Sequence, residues 1–480
     1  MAKRAIVYGW QDRPAWPIRL LAGCQHVLTL FGATTLVPLI FGPEMGMDTA
    51  QVAQFISCVY LAMGVATLIQ TSPWLGSGLP IVQGSSFSFI PPVMTVIAAY
   101  KAVDGGGPAL IMQYVGGGLI AGGLVMAVIG YSGIVGVVRR VVTPVVIGPT
   151  IMAIGFSLAK VAIEFNAARC WPVSLLVVVS IFVLTLFVRQ KYLNIFAVLA
   201  SIVAVYLLCL WASHQGYLAS DHPAYISWKA VEDAPWVRFP GIFPWGLPKF
   251  SFLAFGAMLA GFFAVMIESI GDYHSCSYAA GLSDPTPEMI SRGIGAEGIN
   301  CAVAGCLGAV GTTSYTENIG LIGLTGVASV HVVRTGAVVL ILLSLVGKLG
   351  ALVATIPAPI IGGAYIALFG IIGALGIQIL MRADMGSQRN VMIVGFAFLM
   401  AMGLPGWVEG QKEAFFAWGL GGQILWAILK TNMAVAGLCA AFWDNLVPGT
   451  LEERGIAPPA TAAPADPAAT DPRVSAEAIG

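Results

Sequence analysis

Long apolar runs, each about the length of a bilayer-crossing helix, follow one another along nearly the whole chain. Crossing the hydrocarbon core takes about 20 mostly apolar residues. Stretches 20–41, 50–70, 112–131, 141–162, 172–188, 194–212, 250–271, 293–310, 335–355, 358–380 and 391–405 meet that requirement. The stretch 415–447 is apolar but broken by Lys430, and reads as one or two further segments. Two others depart from the pattern: 80–98 and 311–331 are apolar overall yet loaded with Gly, Ser, Thr and Pro. Each predicts an extended piece of backbone leading into a half-helix. Counting these two, about fourteen segments result.

An even count puts both termini on one side. With the N-terminus inside, the inner loops receive Arg139, Arg140, Arg189, Lys191, Arg292, Arg334, Arg382 and Arg389. The outer loops receive fewer basic residues, among them Lys101, Lys160, Arg169 and Lys412. That asymmetry predicts cytoplasmic termini. The expected organisation is a cytoplasmic N-terminus at 1–19, a first half at 20–212 and a polar, aromatic outer loop at 213–249. A second half at 250–447 and a cytoplasmic tail at 448–480 complete it. From 455 the tail is rich in Ala and Pro, a composition that predicts disorder.

Composition agrees with the pattern. Only 10% of the 480 residues are charged and 58% are hydrophobic, against about 25% charged in soluble domains. So few charges cannot cover a water-facing surface. The 58 glycines fit a helical bundle, because small residues let helix backbones approach closely. Zero net charge gives no sign of a nucleic-acid partner. The eight cysteines include no CxxC pair, so neither a disulfide framework nor a metal site is indicated. The first nineteen residues lack the apolar core and cleavage site of a secretory signal, which makes the first span both signal and anchor.

The two odd segments resemble each other. Gly84-Ser85-Ser86-Phe87-Ser88-Phe89 is similar to Thr313-Ser314-Tyr315-Thr316-Glu317. Likewise Thr143-Pro144-Val145-Val146-Ile147-Gly148, through Gly155, is similar to Ala358-Pro359-Ile360-Ile361-Gly362-Gly363, through Gly370. Each pair lies seven segments apart, and an odd number of spans per repeat inverts the second copy. Inverted repeats with interrupted helices in corresponding positions point to a transporter binding site.

Carboxylates within spans cost about 2.5–3.5 kcal/mol at the bilayer centre, so the few present are candidates for function. Glu268 sits in GFFAVMIESIGDYHSC, with Asp272 four residues on and thus on the same helix face. Two carboxylates so placed repel each other and lose hydration, which favours a proton on one of them and suits a proton carrier. The plainer reading puts Asp272 and His274 at a solvated helix end. Glu317 lies between Thr316 and Asn318, in the second interrupted segment. A helix starting from extended chain leaves backbone N–H groups free. Beside a carboxylate they suit a flat ring with alternating N–H and C=O on its edge, such as a nucleobase. Phe87 could stack on that ring, or simply pack in the core. Gln25 and His26 lie in the first span, where polar groups face the protein interior. They serve either function or an interhelical hydrogen bond. His331 and Arg334 read as inner-loop residues.

The run GTTSYTENIGLIGLTG resembles the signature of the nucleobase–ascorbate transporter family. So do QH in the first span, GSSFSF, ESIGDYH, IPAPIIGGAYIALFG and DNLVPGTLEERG. The resemblance covers about 20 to 455, and two of its motifs look like the branch with animal and plant members. It implies an all-α membrane fold of fourteen segments in two inverted sevens, with core and gate domains. Short strands in segments 3 and 10 would frame the substrate site, and the protein would be a homodimer. By motif position, Glu268 and Glu317 would bind the base. Phe87 would stack, the backbone at Ser86 and Thr316 would assist, Asn318 would shape the site and Phe369 would line its gate side. Asp272, with Glu268, His26 and Gln25, would form the coupling network. Two departures bear on specificity. Gly326 stands where many members carry Arg or Lys, and Glu317 stands where purine carriers often have Gln and ascorbate carriers Pro. The glutamate favours uracil or an oxo-base such as xanthine.

The expectation is therefore a proton-coupled nucleobase symporter of the inner or plasma membrane, without cofactor or bound metal. Its nearest rival is a sodium-coupled carrier of ascorbate or another organic anion on the same fold. A channel or sensor would need a sustained polar stripe, and an enzyme a nucleophile–base cluster; the spans show neither.

Overall fold

Proline opens many of the helices, because its missing N–H is one that a first helical turn leaves unpaired in any case. The computed structural model describes residues 6–101, 103, 106–135, 141–164, 166–188 and 196–456. Its first half contains α1 (Trp16–Met45), α2 (Thr49–Gln70), β1 (Gln83–Ser85), α3 (Ile90–Tyr100), α4 (Pro108–Tyr131), α5 (Pro144–Ser157), α6 (Trp171–Phe182) and α7 (Ala197–His214). The second half contains α8 (Phe252–Ala279), α9 (Pro287–Cys306), β2 (Thr312–Ser314), α10 (Thr316–Thr325), α11 (Val330–Ser344), α12 (Gly347–Ala354), α13 (Ala358–Leu380), α14 (Gln388–Gly410), α15 (Gly419–Leu429) and α16 (Asn432–Leu446). Among the described residues, eight helices are long and apolar enough to cross a membrane, or nine if the bent pair α15–α16 is one span.

Both interrupted segments have the expected form, a short extended piece followed by a helix. The two strands pair antiparallel, with Gly84 opposite Thr313. Gly84 is obligatory there, since a Cβ would lie 2.1 Å from the Tyr315 ring. The helices fall into two groups by packing. One gathers α1–α4 with α8–α12 around the strands; the other gathers α5–α7 with α13–α16, of which α15 also packs on α8. Glycines set the closest approaches in each. A Cβ on Gly123 of α4 would lie 2.5 Å from the Gly298 carbonyl of α9, and one on Gly155 of α5 would lie 2.6 Å from the Gly373 nitrogen of α13.

Loops fasten the helix ends. The chain at 213–249 lies on the ends of α4, α9 and α12, with Gln113 Nε2 donating to the Trp245 carbonyl (2.8 Å) and Lys348 Nζ to that of Val231 (2.8 Å). Residues 6–12 run beside the end of α10, where Gly326 has φ +70°. The Gly326 carbonyl accepts from Val7 N–H (2.9 Å), and Trp10 Nε1 donates to the Gly78 carbonyl (2.7 Å). Gly326 therefore serves to end α10 and dock the N-terminal segment. His331 and Arg334, expected in a loop, belong to the first turns of α11, because Ser329 caps that helix by accepting from His331 N–H. Arg334 Nη2 donates to the Thr71 carbonyl at the end of α2 (2.6 Å).

The DNLVPGTLEERG run is a structural tie. Asp444, at the end of α16, takes Arg389 of α14 at 2.9 Å and Arg454 at 2.8 Å, and accepts from Thr143 Oγ1 ahead of α5 at 2.8 Å. Asn390 Nδ2 donates to the Glu453 carbonyl (2.6 Å), and Ser387 donates to its carboxylate. Arg139, Arg140, Arg189, Lys191 and the tail from 457 lie outside the described residues.

Candidate functional site

The strand pair places two helix beginnings side by side at the centre of the first helix group. A single helical turn at Phe87–Phe89 leads from β1 into α3, and α10 begins directly after β2. Helix N-termini carry partial positive charge and unpaired N–H groups, so both ends offer donors to the same region. The start of α10 has no side-chain cap.

α8 crosses in front of both beginnings. Glu268 Oε2 accepts from Ser88 Oγ (3.3 Å), beside α3, and Asp272 Oδ1 accepts from Thr316 Oγ1 (2.9 Å), at the start of α10. One turn of α8 thus ties its carboxylates to both interrupted segments. Asp272 lies well inside α8 and is 5% exposed, so the solvated-helix-end reading fails for it. Its Oδ2 has no hydrogen-bond partner among the described residues. His274 is half-buried, 3.4 Å from Asp284 of the following loop.

Glu317, in the first turn of α10, is exposed, as are Gly320 and Gly323 further along. A Cβ on Gly320, Gly323 or Gly271 of α8 would meet nothing within 4 Å. Carboxylates within membrane spans almost always face the bundle interior or a water-filled cavity rather than lipid. Phe87 is half-buried and meets Phe369 of α13 edge-on, with centroids 5.7 Å apart. Ser86 is buried, and its Oγ accepts from Ser88 N–H (3.2 Å).

Asn318 acts indirectly. Its amide turns away to α1, donating to the His26 carbonyl (2.9 Å) and lying 3.1 Å from His26 Nδ1. His26 is buried and Gln25, beside it, is half-buried. Asn318 and His26 anchor α10 to α1, and Glu268 and Asp272 make their hydrogen bonds elsewhere.

A fourth carboxylate, Glu297 of α9, escaped the sequence reading. It is fully buried and accepts from Ser269 Oγ (2.5 Å), Tyr273 OH (3.0 Å) and Ser314 Oγ (2.6 Å). It joins α9, the adjoining face of α8 and β2. A span starting at 293 leaves Glu297 near its edge, whereas the helix begins at Pro287 and carries it deeper. Its signal was the lone acidic residue among Gly and Ala. Ser88 was equally missed, because its partner lies 180 residues away.

Glu297 and Glu317 both lie within electrostatic reach of Glu268 and Asp272. None of them joins an ion pair among the described residues. Among those residues no cluster of three or more His, Cys, Asp or Glu is placed to hold a metal. Interrupted helices whose starts converge on buried carboxylates, within a many-spanning bundle, define a multi-pass membrane transporter.

Comparison with known proteins makes the class specific. Residues 18–410 match the family model described as "Permease family", that of the xanthine/uracil permeases. Solute carrier family 23 member 1 of Mus musculus is 34% identical over 94% of this chain and 82% of its own length. Nucleobase-ascorbate transporter 12 of Arabidopsis thaliana is 29% identical over 94% of this chain and 71% of its own. The chain belongs to this permease family, that of the nucleobase–ascorbate transporters, and is a transporter rather than an enzyme. Among solved structures, the transmembrane domain of the cyanobacterial bicarbonate transporter BicA shares the fold. Its TM-score is 0.55 at 16% identity, covering 87% of this chain and 97% of that one.

Proposed function

We propose that this protein imports a nucleobase, uracil, xanthine or a related oxo-base, by proton symport. The observation that carries the reading is the grouping of Glu268, Asp272 and Glu317 at two converging helix starts, beside Phe87, with no cationic side chain among the described residues paired to them. A carboxylate beside free N–H groups matches a ring edge that both donates and accepts. The surplus negative charge calls for an incoming cation. The bare Oδ2 of Asp272 is where a proton fits best, because an unpartnered buried carboxylate oxygen is costly. An anionic substrate such as ascorbate would meet repulsion from the same carboxylates. The plant relative's name supports a nucleobase or ascorbate substrate.

In this reading Glu268 and Glu317 hold the base, Phe87 stacks on it, Ser86 and Thr316 contribute backbone groups, and Phe369 closes the far side. Asp272 and Glu268, with His26 and Gln25, form the coupling network, and Asn318 braces α10 through His26. The α5–α7/α13–α16 group acts as a gate against which the strand-bearing group moves. The chain forms fourteen segments in two inverted sevens, works as a homodimer in the inner or plasma membrane, and keeps both termini in the cytoplasm.

Uptake of radiolabelled uracil and xanthine into proteoliposomes, with and without an inward proton gradient, tests this directly. Gradient-dependent uptake competed by bases and not by ascorbate is the expected result. Sodium-dependent ascorbate uptake without base uptake would replace it with the anion-carrier reading. Asp272→Asn should leave measurable base exchange but reduce the stimulation by the proton gradient by about tenfold, the effect of about 1.4 kcal/mol. Unchanged gradient dependence in this variant would remove Asp272 from the coupling role.

A further inference from the structure

Tyr365 lies one turn before Phe369 on α13, so both side chains share one face. It is fully buried, its ring is parallel to that of Phe369 at 4.9 Å, and its hydroxyl donates to the Leu36 carbonyl of α1. Phe369 in turn meets Phe87, which follows β1. The face of α13 therefore touches the strand-bearing helix group at two points one turn apart, one through a hydroxyl and one through an aromatic edge.

The α1 side is built to receive it. Pro38 has no N–H, so the Thr34 carbonyl loses its helical donor. Ser85 Oγ of β1 supplies one at 3.1 Å, while Tyr315 OH donates to the Ser85 carbonyl at 3.3 Å. The same turn of α1 thus offers Thr34 to β1 and Leu36 to α13. Main-chain carbonyls facing one direction recur only every turn of about 5.4 Å. The Tyr365 bond is accordingly made in one alignment of the two helix groups and is lost when they slide past each other.

We propose that Tyr365 is a positioning residue with two separable effects. Its ring holds Phe369 against Phe87 and so sets the aromatic wall of the substrate site. Its hydroxyl latches α13 to α1 in the alignment seen here, and breaking that bond is part of the reorientation step. The proposal rests on the alternating-access reading above.

Tyr365→Phe removes the hydroxyl and keeps the ring, and Leu36 retains a helical donor in the Ile40 N–H. Hydrogen–deuterium exchange on the purified protein reads the latch without any substrate. In Tyr365→Phe, peptides covering 34–41 and 362–370 should exchange about 3- to 10-fold faster, the range set by one net hydrogen bond, while peptides from α4 and α9 stay unchanged. Equal exchange in the wild type and the variant would overturn the latch whatever the protein transports. In proteoliposomes, Tyr365→Phe should alter the maximal uptake rate several-fold at constant KM. Tyr365→Leu, which loses the ring, should raise KM about tenfold, and Phe at 365 should restore it. A wild-type KM in Tyr365→Leu would overturn the positioning role. Absence of base uptake by the wild type would instead refute the proposed function and leave the exchange result to decide the latch.

Discussion

Glu317→Ala should abolish base uptake, lowering it about 100-fold or more, while the protein reaches the membrane in normal amount. The carboxylate stands exposed in the first turn of α10 and makes no side-chain hydrogen bond or ion pair among the described residues. Its loss therefore leaves the fold intact. In the proposed complex it accepts a charge-assisted hydrogen bond from the ring edge, next to N–H groups that bind the neighbouring carbonyl. Each hydrogen bond to a charged group contributes about 1.5–3 kcal/mol, and about 1.4 kcal/mol is a factor of ten. Losing the carboxylate and the registration it imposes on the ring thus reaches the stated magnitude. Glu317→Gln should keep part of the activity with a changed preference among bases, since an amide offers one donor and one acceptor in its place. Initial uptake rates normalised to membrane protein make the check. Wild-type rates in Glu317→Ala would take Glu317 out of the site.

Asp444→Ala should destabilise the fold by about 3–5 kcal/mol, the cost of stranding buried charge when one partner of an ion pair is removed. The Asp444 side chain is 0% exposed, and its partners Arg389 and Arg454 are 8% and 15% exposed. Removing it leaves two guanidinium groups without their shared carboxylate and Thr143 without its acceptor. The tie joins α5, α14, α16 and the C-terminal segment, so their packing loosens together. Asp444→Asn, which keeps an acceptor without the charge, should cost less. Thermal unfolding of the purified protein followed by size exclusion reads both variants. A melting temperature within about 1 °C of the wild type for Asp444→Ala, about 1 kcal/mol for a chain of this size, would refute the buried tie. Substrate KM in the surviving folded fraction should be normal, because no part of the tie reaches Glu268 or Glu317.

The sequence by itself determined that the chain lives in lipid, roughly where most of its long apolar helices lie, and which two segments are interrupted. Each of these follows from local composition, since span length, Gly and Ser content and turn chemistry are read within twenty residues. It also singled out Glu268, Asp272 and Glu317, because a carboxylate in an apolar run is conspicuous wherever it points. Tertiary structure alone decided what those groups touch. Ser88 meets Glu268 across 180 residues and Asn318 meets His26 across 292, distances over which no periodicity carries information. Asn318, which the resemblance has shaping the site, turns its amide toward α1 and fixes α10 to it through His26. Glu297 stayed hidden until the true start of α9 showed its depth and three hydroxyls converged on it. The DNLVPGTLEERG run was legible as a motif, but its purpose was not. Asp444 and Arg454 lie close along the chain, whereas Arg389 and Thr143 arrive from other helices, and only their meeting makes the tie.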